Sequence, residues 1–248
     1  MKALVYIFLI LFCPLMVNAK ALEPIKLIEE KTGYRASGFL DFNTYHDTRN
    51  FQVNTLNAKL NLPGPFSYSS LTNWQGNPTG DDAFDYSYLY ITEQNLYYEL
   101  PKSPLDLHMQ FFSISGDNND ALRLGVQTRV EDLKWFGKAL KKINSWYHLS
   151  YFMYQVDHID SYAYQLQHVW YTKVFPKRFK DRVYIYGFAD QNFNTGTVDV
   201  HNKLVAECQL GVRIWKGLHA VSELRWNGFF PKGDRFGLGM GLEYKINF

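Results

Sequence analysis

Ionisable side chains recur at every second position along segments that are otherwise apolar. In chain order they are Asp41, Lys59, Glu93, Glu99, Asp106, Arg123, Arg129, Glu207, Arg213, Glu223, Arg225, Glu243 and Lys245, seven acidic and six basic. Amides share that phase, among them Asn43, Asn57, Asn61, Asn95, Gln110, Gln127, Gln165 and Gln167. Two chemistries suit such a set. Charges in a low-dielectric wall must be paired or hydrated, so the groups could form cross-strand ion pairs that stiffen a narrow structure. They could equally line a water-filled path whose mixed charges favour neither ion sign, leaving selectivity to shape and hydrogen bonding. The amides then offer donors and acceptors to a neutral polar solute. Tyr184, Tyr186 and Phe188 share one face of their segment, bracketed by Arg182 and Asp190. Facing inward they would stack on a nucleobase or sugar ring; facing outward they would form an aromatic girdle against lipid.

Catalytic readings are weaker. The segment LHMQFFSISGDNND holds His108, Ser113, Ser115 and Asn118, a Ser-His-Asn set similar to that of outer-membrane phospholipases. His108 alternates with Leu107 and Met109 and so belongs to the polar face, whereas attack on a lipid needs residues on the apolar face. The serines also lie too far along an extended segment to reach it directly. The VDHID stretch offers Asp157, His158 and Asp160, which suit either an Asp–His activated water or a polar hairpin turn. The sequence contains no HExxH, no glycine-rich phosphate loop and no Cys/His metal spacing. No enzyme, cofactor or metal is therefore expected.

The elements that position these residues have a period of two. LVAECQLGVRI sets Leu204, Ala206, Cys208, Leu210, Val212 and Ile214 against Lys203, Val205, Glu207, Gln209, Gly211 and Arg213. The last segment, RFGLGMGLEYKINF, sets Phe236, Leu238, Met240, Leu242, Tyr244, Ile246 and Phe248 against Gly237, Gly239, Gly241, Glu243, Lys245 and Asn247. Such alternation describes strands with one apolar and one wet face. FSYSSLTNWQ, SWYHLSYFMYQV and RVYIYGFADQ carry large residues on both faces and fix no register. About twelve strands result, each near the ten residues that a tilted membrane crossing needs. Aromatic residues form 17% of the chain, yet its mean hydropathy is slightly negative. A thin spread of aromatic surface over a polar chain fits a transmembrane barrel, where only alternate residues meet lipid. The expected fold is all-β: a transmembrane antiparallel barrel of about 12 strands, with one short periplasmic amphipathic helix.

The N-terminus adds an address. MKALVYIFLILFCPLMVNAK has a basic start, an apolar run and a small-residue cleavage site at Val17-Asn18-Ala19, the pattern of a secretory signal peptide. Residues 1–19 are thus read as the signal, 20–33 as a periplasmic segment and 34–248 as the barrel, in the outer membrane of a Gram-negative cell. Beyond the signal no run of 18 apolar residues could form a spanning helix. The 26 basic and 24 acidic residues nearly cancel, which gives no reason to expect nucleic acid. Turns with proline (LPGP, PKSP, FPKRFKD) and WKG fall on one side, and longer Gly-, Asn- and Asp-rich loops on the other. EDLKWFGKALKKIN is the exception to the alternation. Leu133, Phe136, Leu140 and Ile143 recur at helical spacing and four lysines crowd other faces. It reads as a short amphipathic connector, or as one that rests on anionic lipids of the inner leaflet.

Across most of its length the chain resembles the Tsx-like nucleoside-specific channels of bacterial outer membranes. The resemblance lies in TYHDTRNFQVNTLNAKLNLPGPFSYSSLTNWQG, in SYAYQLQHVWYTKVFPKRFKDRVYIYGFADQNF, and in a glycine-rich closing strand that ends in Asn-Phe. It implies a twelve-stranded monomeric barrel with a narrow keyhole pore lined by aromatic and ionisable residues. The chain departs from that family in being shorter, in carrying less aspartate and tryptophan in its outer loops, and in its lysine-rich helix. A terminal aromatic such as Phe248 resembles the signal by which the barrel-assembly machinery recognises its clients. The expected activity is passive diffusion of small polar solutes, nucleosides first among them. A membrane-embedded lipid hydrolase and a plugged structural barrel are the alternatives.

Overall fold

A computed structural model of the chain describes residues 37–76, 89–116, 120–156, 163–194, 203–229 and 232–248. The expected signal peptide and the 20–33 segment lie outside them, as do Asn118 and the Asp157, His158, Asp160 group. Twelve strands account for most of what is described: β1 Ser37–Asp47, β2 Phe51–Asn61, β3 Phe66–Gln75, β4 Leu89–Glu99, β5 Leu105–Ile114, β6 Asp120–Arg129, β7 Ser145–Gln155, β8 Ala163–Lys173, β9 Val183–Asn194, β10 Lys203–Trp215, β11 Leu218–Asn227 and β12 Phe236–Asn247. Each pairs antiparallel with its sequence neighbours, and β1 pairs with β12 to close the barrel. That seam runs from Phe39 opposite Asn247 to Asp47 opposite Gly239. Two more bonds extend it, Gly38 N–H to the Phe248 carbonyl at 2.9 Å and Phe248 N–H to the Gly38 carbonyl at 3.1 Å. A closed barrel has no edge, so its backbone polar groups are satisfied without water.

Alternation then sorts side chains. Along β5, Asp106, His108 and Gln110 are buried while Leu105, Leu107, Met109 and Phe111 are exposed. In a soluble protein that is inside out; against hydrocarbon it is the stable arrangement. Outer aromatics pair near both ends of β3 and β4, Phe66 with Tyr98 at 5.1 Å and Trp74 with Tyr90 at 6.1 Å between ring centres. Between them the outer face departs from the expected apolar pattern, because Ser70, Thr72, Thr92 and Gln94 share its phase. Thr72, Thr92 and Gln94 satisfy one another with Tyr68. Thr72 Oγ1 lies 3.0 Å from Thr92 Oγ1, Gln94 Nε2 donates to Thr92 at 2.6 Å, and Tyr68 donates to Gln94. Internal pairing removes most of the cost of placing hydroxyls and an amide on that surface.

The segments whose register the sequence does not fix owe this to backbone irregularity and crowding. In β7 the pairing slips: Leu124 faces Tyr154 while Gly125 faces Phe152, and Met153 and Tyr154 are both exposed. This bulge puts Trp146, His148, Ser150 and Phe152 on one phase and Gln155 on the other, all turned inward. The expected helix is present as α1, Lys134–Lys142, after a 3-10 turn at Val130–Asp132. Its acidic residues precede it instead of occupying its first turn: Asp132 binds Arg129 at 2.8 Å and Glu131 binds His148 at 2.9 Å. A second helix, α2, spans Pro176–Phe179 between β8 and β9, where the sequence suggested only a turn.

Two glycines make room for tyrosines in the interior. A Cβ on Gly239 would strike the Tyr45 ring, and one on Gly211 would strike the ring of Tyr184. Tyr184 in turn donates to Glu243 and accepts from Gln209 Nε2 at 2.6 Å. Gly211→Ala should therefore push Tyr184 off this site and destabilise the barrel by about 1–3 kcal/mol. The check is the temperature at which the folded form loses its compact gel mobility in detergent; an unchanged midpoint contradicts the packing described.

Candidate pore and vestibule

The residues singled out in the sequence, Asp41, Asn43, Lys59, Glu93, Asp106, Arg123, Arg129, Gln165, Gln167, Tyr184, Tyr186, Phe188, Glu207, Arg213, Glu223, Arg225, Glu243 and Lys245, all occupy the inward phase of their strands. They do not converge on one point. They divide along the barrel axis into a middle tier and a tier near the end where the first and last strands begin and finish.

The middle tier is dense with charge. Arg225 binds Glu207, Nη2 at 2.6 Å and Nε at 2.8 Å from the same carboxylate oxygen, and lies 5.7 Å over the ring of Tyr45. Arg123 donates to Gln165 and to Gln110, the latter at 3.3 Å, and sits 5.4 Å over Phe112. Glu93, Asp190 and Glu223 share this region, and Gln110 Nε2 lies 3.5 Å from Glu93. Four carboxyl groups thus face two guanidinium groups. Above them Tyr45, Phe51 and Val53 form a buried apolar cluster inside the barrel, so the interior is not uniformly polar. The cause is the odd-numbered phase of β1 and β2, which carries these three residues inward with the polar ones.

The lower tier is organised by rings. His148, Trp146, Tyr171, Tyr184 and His219 follow one another around the wall with centre spacings of 4.7, 6.0, 5.7 and 5.6 Å. Lys59 reaches across to lie 5.8 Å over Trp146. Asp41 accepts from Asn57 at 2.8 Å and pairs with Lys245 at 3.7 Å, and Lys245 covers Phe39 at 4.0 Å. Glu243 accepts from Gln209 at 2.6 Å and from Tyr184. Arg129 binds Asp106, and Gln127 donates to the same carboxylate at 2.9 Å. Arg213 sits at the rim, with Nη2 3.1 Å from the Lys180 carbonyl.

Sequence reading missed Trp146, His148, Tyr171 and His219. His219 stood in the wet phase of β11 and could have been taken from it. Trp146 and His148 could not, because the β7 bulge and its aromatic residues on both faces hide the register.

Between these tiers lies a vestibule of about 290 Å³. Lys59, Glu93, Tyr97, Trp146, Tyr186 and Phe188 are among the residues that line it. Tyr186 and Phe188 also border a smaller void of about 20 Å³, bounded further by Asn43, Thr55, Glu207 and Glu223. The first volume is at the low end of the roughly 300–1,000 Å³ typical of small-molecule sites. The second is about the size that admits one water. The interior therefore holds a larger space toward the lower end and a water-sized void at the tier of charges.

His108 points inward, as its alternation with Leu107 and Met109 requires, and its partners come from other strands. Nδ1 lies 3.1 Å from Ser150 Oγ and Nε2 lies 2.9 Å from Asn95 Oδ1. Ser113 sits on the outward phase of β5, and Ser115 accepts from the Tyr90 N–H at 3.2 Å. A Ser-His-Asn set is thus assembled from Ser150, but His108 is 2% exposed and Ser150 1%. Tyr97 and Phe152 pack on the imidazole at 4.3 and 4.5 Å, leaving no space for a substrate beside it. This arrangement is a buried hydrogen-bond chain.

Among solved structures the chain is similar to the NanC porin, with 9% identity over 84% of this chain and 100% of that one, at a TM-score of 0.54. It is similar also to the KdgM porin, with 13% identity over 83% of this chain and 98% of that one, at a TM-score of 0.50. At such identities the likeness is one of fold: a closed antiparallel β-barrel of twelve strands, as in outer-membrane porins. No protein-family model matches the chain, and no curated protein matches it.

Glu131, in the connection outside the strands, ties the vestibule mouth to pH. Burial raises its carboxyl, but the hydrogen bond and charge of His148 and the backbone N–H groups outweigh this and hold it below the usual carboxylate range. A depressed folded value contributes stability above the unfolded pKa, about 4.3, which is lost as pH falls through the folded value. Wild type should therefore lose thermal stability on acidification from pH 6 to pH 3 more steeply than Glu131→Gln. Parallel pH profiles of the two melting midpoints contradict this.

Proposed function

We propose that this protein is an outer-membrane channel for passive diffusion of small, largely neutral polar solutes, with nucleosides the leading class. The observation that carries the reading is the vestibule, a cavity of about 290 Å³ inside a closed barrel, lined by Tyr97, Trp146, Tyr186 and Phe188 together with Lys59 and Glu93. Rings offer a flat stacking surface to a base or sugar, and amides and charged groups offer hydrogen bonds in the plane of the ligand. Three ion pairs along the interior, Arg129 with Asp106, Arg225 with Glu207 and Lys245 with Asp41, reduce the field that a solute meets. This suits a neutral solute better than an ion. The resemblance to Tsx-like channels points to the same class. Diffusion supplies the driving force, and the proposed setting is a monomer among outer-membrane lipids, inserted by the barrel-assembly machinery through the strand ending in Phe248.

One observation favours a second reading, a closed structural barrel: the void of about 20 Å³ at the middle tier is too small for any solute beyond water. Conductance of the purified protein in planar bilayers separates the two. A channel gives discrete steps that fall as adenosine or uridine is added, and combined Tyr186→Ala and Phe188→Ala should raise the half-blocking concentration about tenfold. Absence of steps, both in wild type and in a Glu223→Ala variant that clears the constriction, would establish the closed barrel instead.

A further inference from the structure

The connections at the lower end of the barrel carry a surface that the channel reading does not use. Helix α1 contains no acidic residue and divides cleanly around its axis. Gly137 is buried against the backbone of Glu131, with Leu133 and Leu140 beside it. Continuing around the same side come Phe136, Ile143 and Trp135, which are 63%, 57% and 83% exposed. Lys134, Lys138, Lys141 and Lys142 fill the remaining arc. A lone amphipathic helix says little, but the next two connections on that rim repeat the composition. Around α2, exposed Phe175 and Phe179 sit among Lys177, Arg178 and Lys180. Between β10 and β11, exposed Ile214 and Trp215 adjoin Lys216, whose ammonium lies 4.7 Å over the Trp215 ring.

The acidic residues of these connections are already engaged. Glu131 is held by His148 at 2.9 Å, Asp132 by Arg129 at 2.8 Å and Asp181 by Lys173 at 3.3 Å. Among the described residues, none of the α1 and α2 cations named above, nor Lys216, has an ion pair. An uncompensated basic field interleaved with exposed aromatic and aliphatic groups is complementary to an anionic, amphiphilic surface. We infer that this rim, from α1 through α2 to the β10–β11 turn, binds the headgroups of anionic phospholipids in the periplasmic leaflet. Trp135, Phe136 and Trp215 enter the interface between headgroup and chain, and the lysines hold the phosphates. The occupant is a bilayer lipid, since a soluble anion would leave the exposed rings uncovered. The inference rests on the outer-membrane location and does not depend on whether the barrel conducts.

The test uses the full barrel in detergent, given equal amounts of phosphatidylglycerol and phosphatidylcholine, with the retained lipids counted after gel filtration. Phosphatidylglycerol should be enriched about fivefold or more. Combined Lys134→Gln, Lys138→Gln, Lys141→Gln and Lys142→Gln should abolish most of that enrichment while the folded gel mobility is unchanged. In phosphatidylglycerol nanodiscs, the fluorescence lost on Trp135→Phe should be quenched by brominated lipid and spared by aqueous iodide. Equal retention of the two lipids by wild type overturns the inference, as does enrichment that survives the fourfold variant. Quenching of Trp135 by iodide overturns it too, because it places the ring in water.

Discussion

Backbone hydrogen bonding in a medium without water is the constraint on which this structure rests. A strand in hydrocarbon must give every N–H and C=O a partner, and an open sheet always leaves two rows without one. The pairing of β1 with β12, finished by the two bonds between Gly38 and Phe248, removes both rows. Everything else follows from that closure. Once the cylinder is complete, each strand has an outside and an inside, and the period of two assigns every side chain to one of them.

The inside then becomes a problem of charge. Most of the thirteen ionisable residues of the alternating pattern enter a narrow interior, where an isolated charge would be costly; Glu99 and Arg213 stay at its rim. The barrel resolves this by local pairing, as in Arg225 with Glu207, Arg129 with Asp106 and Lys245 with Asp41. The ion-pair and pore readings of these residues are therefore compatible. The pairs stiffen the wall, and between the tiers they leave a vestibule whose surface is set by rings and amides. At the middle tier the same crowding leaves a void of about 20 Å³, room for about one water.

Much of this architecture was legible in the chain, and the reason is physical. In β10, β11 and β12 the two faces meet solvents of opposite character, so Glu207, Arg213, Glu223, Arg225, Glu243 and Lys245 declare their phase even though Val205 and Val221 share it. Legibility fails where one face can tolerate the other's chemistry. Thr72, Thr92 and Gln94 sit on the lipid side because they bond to one another, and no periodicity reveals such a cluster. In β7 a bulge shifts the phase near Met153, and tryptophan and tyrosine are welcome on either side of a barrel wall. The ring arc through Trp146, Tyr171 and Tyr184 was hidden for that reason. Its counterpart Ser150, which completes the buried chain with His108 and Asn95, comes from a strand 42 residues away and is invisible to local spacing.

Which medium each face of a strand touches decides the whole arrangement. The most direct measurement places a spin label at successive positions from Glu207 to Val212 of the reconstituted protein and compares collisions with molecular oxygen and with a water-soluble nickel complex. Oxygen should dominate at Cys208, Leu210 and Val212 and fall at Glu207, Gln209 and Gly211, a period of two with the apolar phase in lipid. Uniform accessibility along β10, or oxygen maxima on the polar phase, would contradict it.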